Sequence, residues 1–155
     1  YLERVRTGAQ INYAVWVDGV VDGVITYAYP MMSASLCGVS SVEMVEFARL
    51  YLDSNIPHTA TCAIGKSLRR IKGDWAMTYP DKLPIRLIVS WSDKERHRGT
   101  IYKAANFQWL KLSLGMLGPA PSEHSKRGKR LKQDDRVHAK DCWIYWLDKE
   151  GHSPK

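Results

Sequence analysis

The sequence predicts an α/β domain built on a single mixed β-sheet with helices packed against it. Three observations carry this. An alternating apolar run from Gln10 to Tyr29 doubles back through Asp18-Gly19, which is hairpin chemistry. A stretch from Thr59 to Lys72 carries an apolar stripe at helical spacing. A nearly continuous β-branched run, Ile85 to Trp91, has the character of a strand covered on both faces. At 155 residues the chain is one domain by size and can bury a core without covalent staples.

The elements follow in order. Gln10–Val17 reads as a strand with Ile11, Tyr13, Val15 and Val17 on one face. Turn residues run from Asp18 to Gly23, and Val24–Tyr29 is the return strand, stopped by Pro30. Met31 to Ser41 is small and polar, a loop. Val42–Leu52 fits two patterns. Helical spacing groups Val42, Val45, Arg49 and Leu52. Strand alternation sets Val45, Phe47, Arg49 and Tyr51 against Met44, Glu46, Ala48 and Leu50. Periodicity does not decide between them. After a turn at Asp53–Pro57, Thr59 or Thr61 is placed to cap a helix running to about Lys72, with Ala60, Ile64, Leu68 and Ile71 inward and Gly73 as its stop. Trp75–Pro84 is a loop, and Ile85–Trp91 is the strongest strand. A charged loop spans Asp93–Gly99, and Thr100–Leu110 reads as a short helix. Leu114–His124 is a loop, residues 119–141 form a basic loop or arm, and Cys142–Leu147 is a last strand. Gly151–Lys155 is a frayed end. The chain starts at Tyr1 without Met and enters a strand almost at once, which predicts a missing N-terminal segment.

Composition narrows the partners. The formal charge of +7 favours an anionic one, such as nucleic acid, a nucleotide or a membrane surface. Six Trp and eight Tyr against two Phe supply amphipathic rings that suit contact surfaces and can stack on bases. The three cysteines, Cys37, Cys62 and Cys142, are odd in number and widely spaced, which fits a reducing cytoplasm better than a disulfide framework. The longest apolar stretch is interrupted by Asp18, Asp22 and Pro30, so no helix spans a membrane. No P-loop, GxGxxG, HExxH, GxSxG, zinc-finger or zinc-deaminase signature is present, which argues against the enzymes that use them.

Three constellations could carry chemistry. Ser90 and Asp93 at a strand end, then His97 and Tyr102, bring a carboxylate, an imidazole and a phenol close together in the chain. In open α/β sheets ligands bind at such strand ends. The structural alternative makes Asp93 a turn cap, His97 solvated and Tyr102 core. The helix start at His58, Thr59 and Thr61 offers free N–H groups to a phosphate, or is an ordinary capped helix. The run Lys126, Arg127, Lys129, Arg130, Lys132 suits phosphate contacts that position DNA, or is a solubilising loop.

The segment PIRLIVSWSDKERHRGTIYKAANFQWL resembles the hallmark of the Mom family of phage DNA-modification proteins. That hallmark is a hydrophobic strand ending in an aromatic and Asp, then H-x-G-T-I-Y-x-A-x-N-[FW]. Asp93, His97, Gly99, Thr100, Ile101, Tyr102, Ala104, Asn106 and Phe107 fill it. Glu46-Phe47-Ala48-Arg49-Leu50 is similar to the family's E-x-x-R-L element. His58-Thr59-Ala60-Thr61 stands where the family has Asn-x-x-Ser, with His58 departing from Asn. Lys140–Leu147 is similar to the closing strand.

The resemblance implies a GNAT-like acyltransferase fold with a central mixed sheet flanked by helices. It also implies modification of adenine N6 in double-stranded DNA by an acetyl-derived, carbamoylmethyl-type group, which shields phage DNA from restriction. The implied donor is acetyl-CoA or a related acyl compound, with iron as a further implied component. Val45–Leu52 then becomes a strand whose splayed edge binds the pantetheine arm. His58, Thr59, Thr61, Arg49 and Asn106 become donor-binding residues, and Asp93, Tyr102, His97 and Ser90 catalytic ones. The Q/R-x-x-G-x-G/A phosphate loop of ordinary GNAT enzymes is absent. Two alternatives stand beside this reading: an inactive DNA-binding or virion protein with the same fold, and a GNAT N-acetyltransferase acting on a small amine.

Overall fold

The computed structural model describes residues 8–30, 35–94, 97–113 and 140–148, with backbone alone for 111–113. The basic residues Lys126, Arg127, Lys129, Arg130 and Lys132, and the loops predicted around them, lie outside the described residues.

Strands β1 (Gln10–Val17) and β2 (Val20–Ala28) form the expected hairpin. Its turn is the two residues Asp18 and Gly19, both at positive φ (49° and 81°). That is the backbone a primed turn demands, so the return strand starts at Val20 rather than Val24. A 3₁₀ turn at Ser41–Glu43 leads into β3 (Met44–Leu52), which resolves the ambiguous segment as strand. Helix α1 (Thr59–Thr78) crosses to β4 (Leu87–Asp93). Then come α2 (Thr100–Ala104), β5 (Gln108–Ser113) and β6 (Lys140–Trp146). The six strands form one sheet in the order β1-β2-β3-β4-β6-β5, antiparallel except for β3 beside β4.

Further expected boundaries move. Helix α1 does not stop at Gly73, because Trp75, four residues past Ile71, is buried and packs on Tyr29 and Tyr79. The helix therefore runs on to Thr78. The helix expected over Thr100–Leu110 ends at Ala104, and Gln108–Ser113 is an edge strand. Asn106 stops it from the left-handed region (φ 63°), its N–H bonding Lys103 O while Phe107 N–H bonds Tyr102 O. This is a Schellman cap with Asn in the usual Gly place. Strand β4 starts two residues late and reaches Asp93, with Ile85 buried just before it. Strand β6 starts at Lys140, so the last two residues of the expected 119–141 arm belong to the sheet.

Strand alternation divides the core. Val15, Ile25, Tyr27, Val45, Phe47, Ile88 and Trp143 meet the inner faces of α1 and α2. Met44, Leu87, Val89, Cys142 and Ile144 pack on the opposite face with Leu36 and Val39. Leu36 and Val39 are held by their own two-residue bridge. At about 25 cal/mol per Å² buried, these two apolar layers are the main stabilising term.

Candidate active site

The site follows from one irregularity. Strands β3 and β4 are paired over only three positions: Met44 with Leu87, Val45 with Ile88, Glu46 with Val89. Beyond that rung β3 stays with β2 and β4 stays with β6, so the sheet opens into a V-shaped notch. A bulge helps to pull β3 aside. Tyr27 pairs with Phe47 and Thr26 with Arg49, leaving Ala48 as the extra residue. Because β3 and β4 are parallel, the notch opens at their carboxyl ends, where α1 and α2 both start.

At the floor of the notch Phe47 O has lost its strand partner. Ser90 replaces it, donating its hydroxyl to Phe47 O at 2.9 Å. With that proton spent, the 3.0 Å contact between Ser90 Oγ and the Tyr102 hydroxyl has Tyr102 as donor. Tyr102 is thereby fixed at the base of the opening. Its ring is clamped by Trp143, stacked at 5.3 Å and 7°, and by Phe107 at 5.5 Å edge-on. Phe107 is the residue that the Schellman cap turns back toward Tyr102. Trp143 is itself pinned by its Nε1–H bond to Ser92 Oγ (2.9 Å). Burial pushes the Tyr102 phenol above its ordinary range. The Ser90 bond works against that shift, and the nearby Glu46 carboxylate adds to it. The phenol therefore keeps its proton at neutral pH.

The predicted site residues fall in three places. Ser90 and Tyr102 meet directly on the helix face of the sheet. Asp93 ends β4 in phase with Leu87, Val89 and Trp91, so alternation puts it half-buried on the opposite face from Tyr102. The closeness of Asp93 and Tyr102 in the chain predicts that they converge on one pocket; the structure corrects this, placing them on opposite faces of the sheet. His97 is exposed just beyond, its N–H bonded to Asp93 O. Arg49 also changes face. Plain alternation grouped it with Val45 and Phe47, but the bulge at Ala48 moves it, half-buried, to the face of Glu46 and Thr26.

The third place is the start of α1. The cap position belongs to His58, in the left-handed region (φ 65°) and with no side-chain cap bond. Thr59 and Thr61 lie inside the first turn, which corrects their expected role as caps. This leaves backbone N–H groups of a 20-residue helix at the mouth of the notch. Asn106 is exposed and occupies the backbone position that terminates α2, which accounts for it without a ligand.

Three residues emerge that sequence reasoning gave no role. Ser92 and Trp143 brace Tyr102, and only the pairing of β4 with β6 brings them there. Glu46 had a signal: it is the one acidic residue in a largely apolar strand. Among the described residues no three His, Cys, Asp or Glu side chains converge to hold a metal ion, so the iron that the resemblance implies finds no ligand set there.

Comparison with solved structures gives the fold. The chain is similar to an aminoglycoside 6′-acetyltransferase type Ii, at 10% identity and TM-score 0.53, covering 92% of this chain and 72% of that one. It is similar to a Bacillus subtilis acetyltransferase in complex with CoA, at 9% and 0.54, covering 87% and 75%. It is also similar to a ribosomal L7/L12 α-N-protein acetyltransferase, at 12% and 0.53, covering 91% and 72%. These likenesses establish the GNAT-type α/β fold with its mixed sheet. No curated protein matches the chain by sequence. The family model described as the Mom protein family matches residues 1–149.

Proposed function

The chain belongs to the Mom protein family, and from that premise we propose that it transfers an acetyl-derived, carbamoylmethyl-type group to adenine N6 in double-stranded DNA. In a phage this protects the DNA from restriction in the host cytoplasm. The observation that carries the reading is the notch between β3 and β4, with a proton-bearing Tyr102 hydroxyl fixed at its floor by Ser90.

The residues present fit an acyl-CoA donor. The edges of β3 and β4 beyond Glu46 and Val89 offer main-chain groups to an amide-bearing arm. The first turn of α1, beside His58, presents the N–H groups of Ala60 and Thr61 and a favourable dipole to a pyrophosphate, the Thr59 N–H being already bonded to Ile56 O. Such a donor would supply the activated acetyl-derived unit from which the transferred group comes. Tyr102, neutral at working pH and held against Trp143, serves as the acid for the departing group. Asp93 and Arg49, on the opposite face, hold the acceptor side, and His97 stands at its rim. Adenine in a duplex is stacked and paired, so it must leave the helix to reach the notch, at a cost of roughly a few kcal/mol. The net charge of +7 and the run Lys126, Arg127, Lys129, Arg130, Lys132 offset that cost by holding phosphates. The Trp- and Tyr-rich composition supplies stacking partners.

The test is plasmid DNA from cells expressing the protein, digested to nucleosides and weighed by mass spectrometry. Wild type yields modified adenine. Asp93→Ala and Tyr102→Phe each abolish it, and normal modification in both removes these residues from the mechanism. Acetyl-CoA turnover by the wild type that is indifferent to DNA would favour a small amine as acceptor.

A further inference from the structure

The sheet has a second surface, on the face away from α1 and α2. Over β4 and β6 that face is covered by Leu36 and Val39. Over β1, β2 and β3 it is open, with Asn12, Ala14, Trp16 and Tyr51 all exposed. Trp16 alternates with Val15, which is buried under the helices, so its indole stands outward and is 63% exposed. Tyr51 pairs with Val24, which pairs with Ala14, and this rung shares the outer face; Tyr51 is 43% exposed. Single apolar residues in water need no explanation, but two large rings at one level of one face do. Two strand spacings separate the rings, about 10 Å, with Ala14 and Val24 as a low floor between them. The next rung is polar: Asn12, Thr26 and Arg49. Thr26 donates its hydroxyl to Asn12 Oδ1 at 2.8 Å, which sets the orientation of the Asn12 amide. Arg49 is the one cation among these residues. Beyond the rings lie carboxylates: Asp53, which accepts the Tyr51 hydroxyl, and Asp22, which holds Ser54. This surface offers rings and an amide rather than a bed of positive charge.

Resting on the proposed transfer to DNA, we infer that the open face of β1–β3 is a stacking surface for unpaired bases next to the adenine being modified, with Trp16 and Tyr51 as its two platforms. Its position relative to the notch supports this. Strands β1 and β3 run in the same direction, so Trp16 and Tyr51 both lie toward the end at which the notch opens. Arg49 and Asp93 stand on the same outer face, one on each side of the notch. A strand of nucleic acid that crosses the notch from Asp93 meets Tyr51 next and Trp16 beyond it. When an adenine leaves the duplex, the bases beside it lose a stacking neighbour. Rings on the protein return part of that stacking and so offset the cost of extrusion. Every base has a π-face, so such platforms are indifferent to sequence. Sheets with exposed aromatics hold unpaired strands in this way. Intact duplex presents phosphates outward, and those call for lysine and arginine. Two rings and an amide, flanked by carboxylates, match bases instead.

The experiment measures binding of a fluorescently labelled duplex with an unpaired central bubble, and of its fully paired counterpart, by anisotropy at one fixed salt concentration. Wild type is compared with Trp16→Ala, Tyr51→Ala, Trp16→Phe and Tyr51→Phe, alongside melting temperatures and the nucleoside assay. Each Ala variant weakens binding to the bubble by about 5- to 150-fold, the range that loss of one stacked base spans, while binding to the paired duplex stays within about twofold. The Phe variants, which keep a ring, bind the bubble nearly as wild type does. All four melt as wild type, because both side chains are exposed. Ala variants that bind the bubble as tightly as wild type overturn the stacking surface, and the proposed function stands if wild type still modifies adenine. Equal losses on bubble and paired duplex also overturn it, as does a loss that the Phe variants share. A wild-type dimer that Trp16→Ala dissociates, with bubble binding unchanged, assigns the face to a second copy instead. A wild type that leaves DNA unmodified overturns the proposed function, and this inference with it.

Discussion

Gly99 shows how little room surrounds the tyrosine. It precedes α2 with φ 70°, and a Cβ there would sit 2.1 Å from Cζ2 of Trp143, the ring stacked on Tyr102. Conformation and space both require glycine at this one position. Gly99→Ala is expected to destabilise the fold by roughly 2–4 kcal/mol, combining overpacking with left-handed strain, and to lower the melting temperature accordingly. The substitution also pushes Trp143 off Tyr102, so activity should fall further than stability explains. A calorimetric scan together with the nucleoside assay checks both. In the sequence Gly99 was visible only as part of a resemblance. Its partner Trp143 lies 44 positions on, across a strand pairing that no local pattern encodes. Ser90 was legible as a polar residue at a strand end. Its actual work, replacing a lost rung for Phe47 O, depends on where β3 and β4 separate.

Elements were legible where local chemistry and tertiary context agreed, as in the Asp18-Gly19 hairpin. They were misread where context prevailed. Gly73 is a poor helix residue by roughly 1 kcal/mol relative to Ala, yet buried Trp75 beyond it keeps α1 intact, with a surface Arg70–Asp74 pair spanning it. Conversely, Asn106 supplies the cap of α2 that glycine usually supplies. The signal was present in the sequence but is weaker than a glycine. The bulge in β3 was invisible to alternation, and it changes the face of every residue after Ala48. Deletion of Ala48 is therefore informative. It leaves Phe47 opposite Tyr27 and Arg49 opposite Thr26, the existing register, while removing the extra residue. The shortened strand is expected to fold with near-normal circular dichroism. It should sit closer to β4 and lose the rise in melting temperature expected of the wild type if acetyl-CoA is its donor. Retention of that rise would show that the bulge does not shape the notch.

At the scale of the molecule, the two apolar layers carry several tyrosines whose protons are held by burial. Tyr27, buried and bonded to Ser67, and Tyr102, bonded to Ser90, are both raised chiefly by desolvation. Below about pH 10 the phenols are protonated in folded and unfolded chains alike and contribute no slope. Above it the unfolded chain releases these protons first and binds fewer than the folded one, so stability falls as pH rises. Urea midpoints measured from pH 7 to pH 11 should stay level up to the ordinary phenol range and drop beyond it. The decline should be shallower in Tyr27→Phe, provided that variant is still folded at pH 7. The fold class was legible at this scale because hairpin, helix and β-branched strand occur in a mixed order. The sheet's split was not, since it rests on three paired positions out of two long strands. That split also alters what the protein presents to its neighbours. Besides the outer rims at β1 and β5, the sheet owns two unfinished edges that face each other inside the molecule. An outside strand seeking partners would have to enter a cleft closed at its base by Ser90 and Phe47. The raw backbone that commonly invites fibre-like association is here kept for something as slender as a single extended chain.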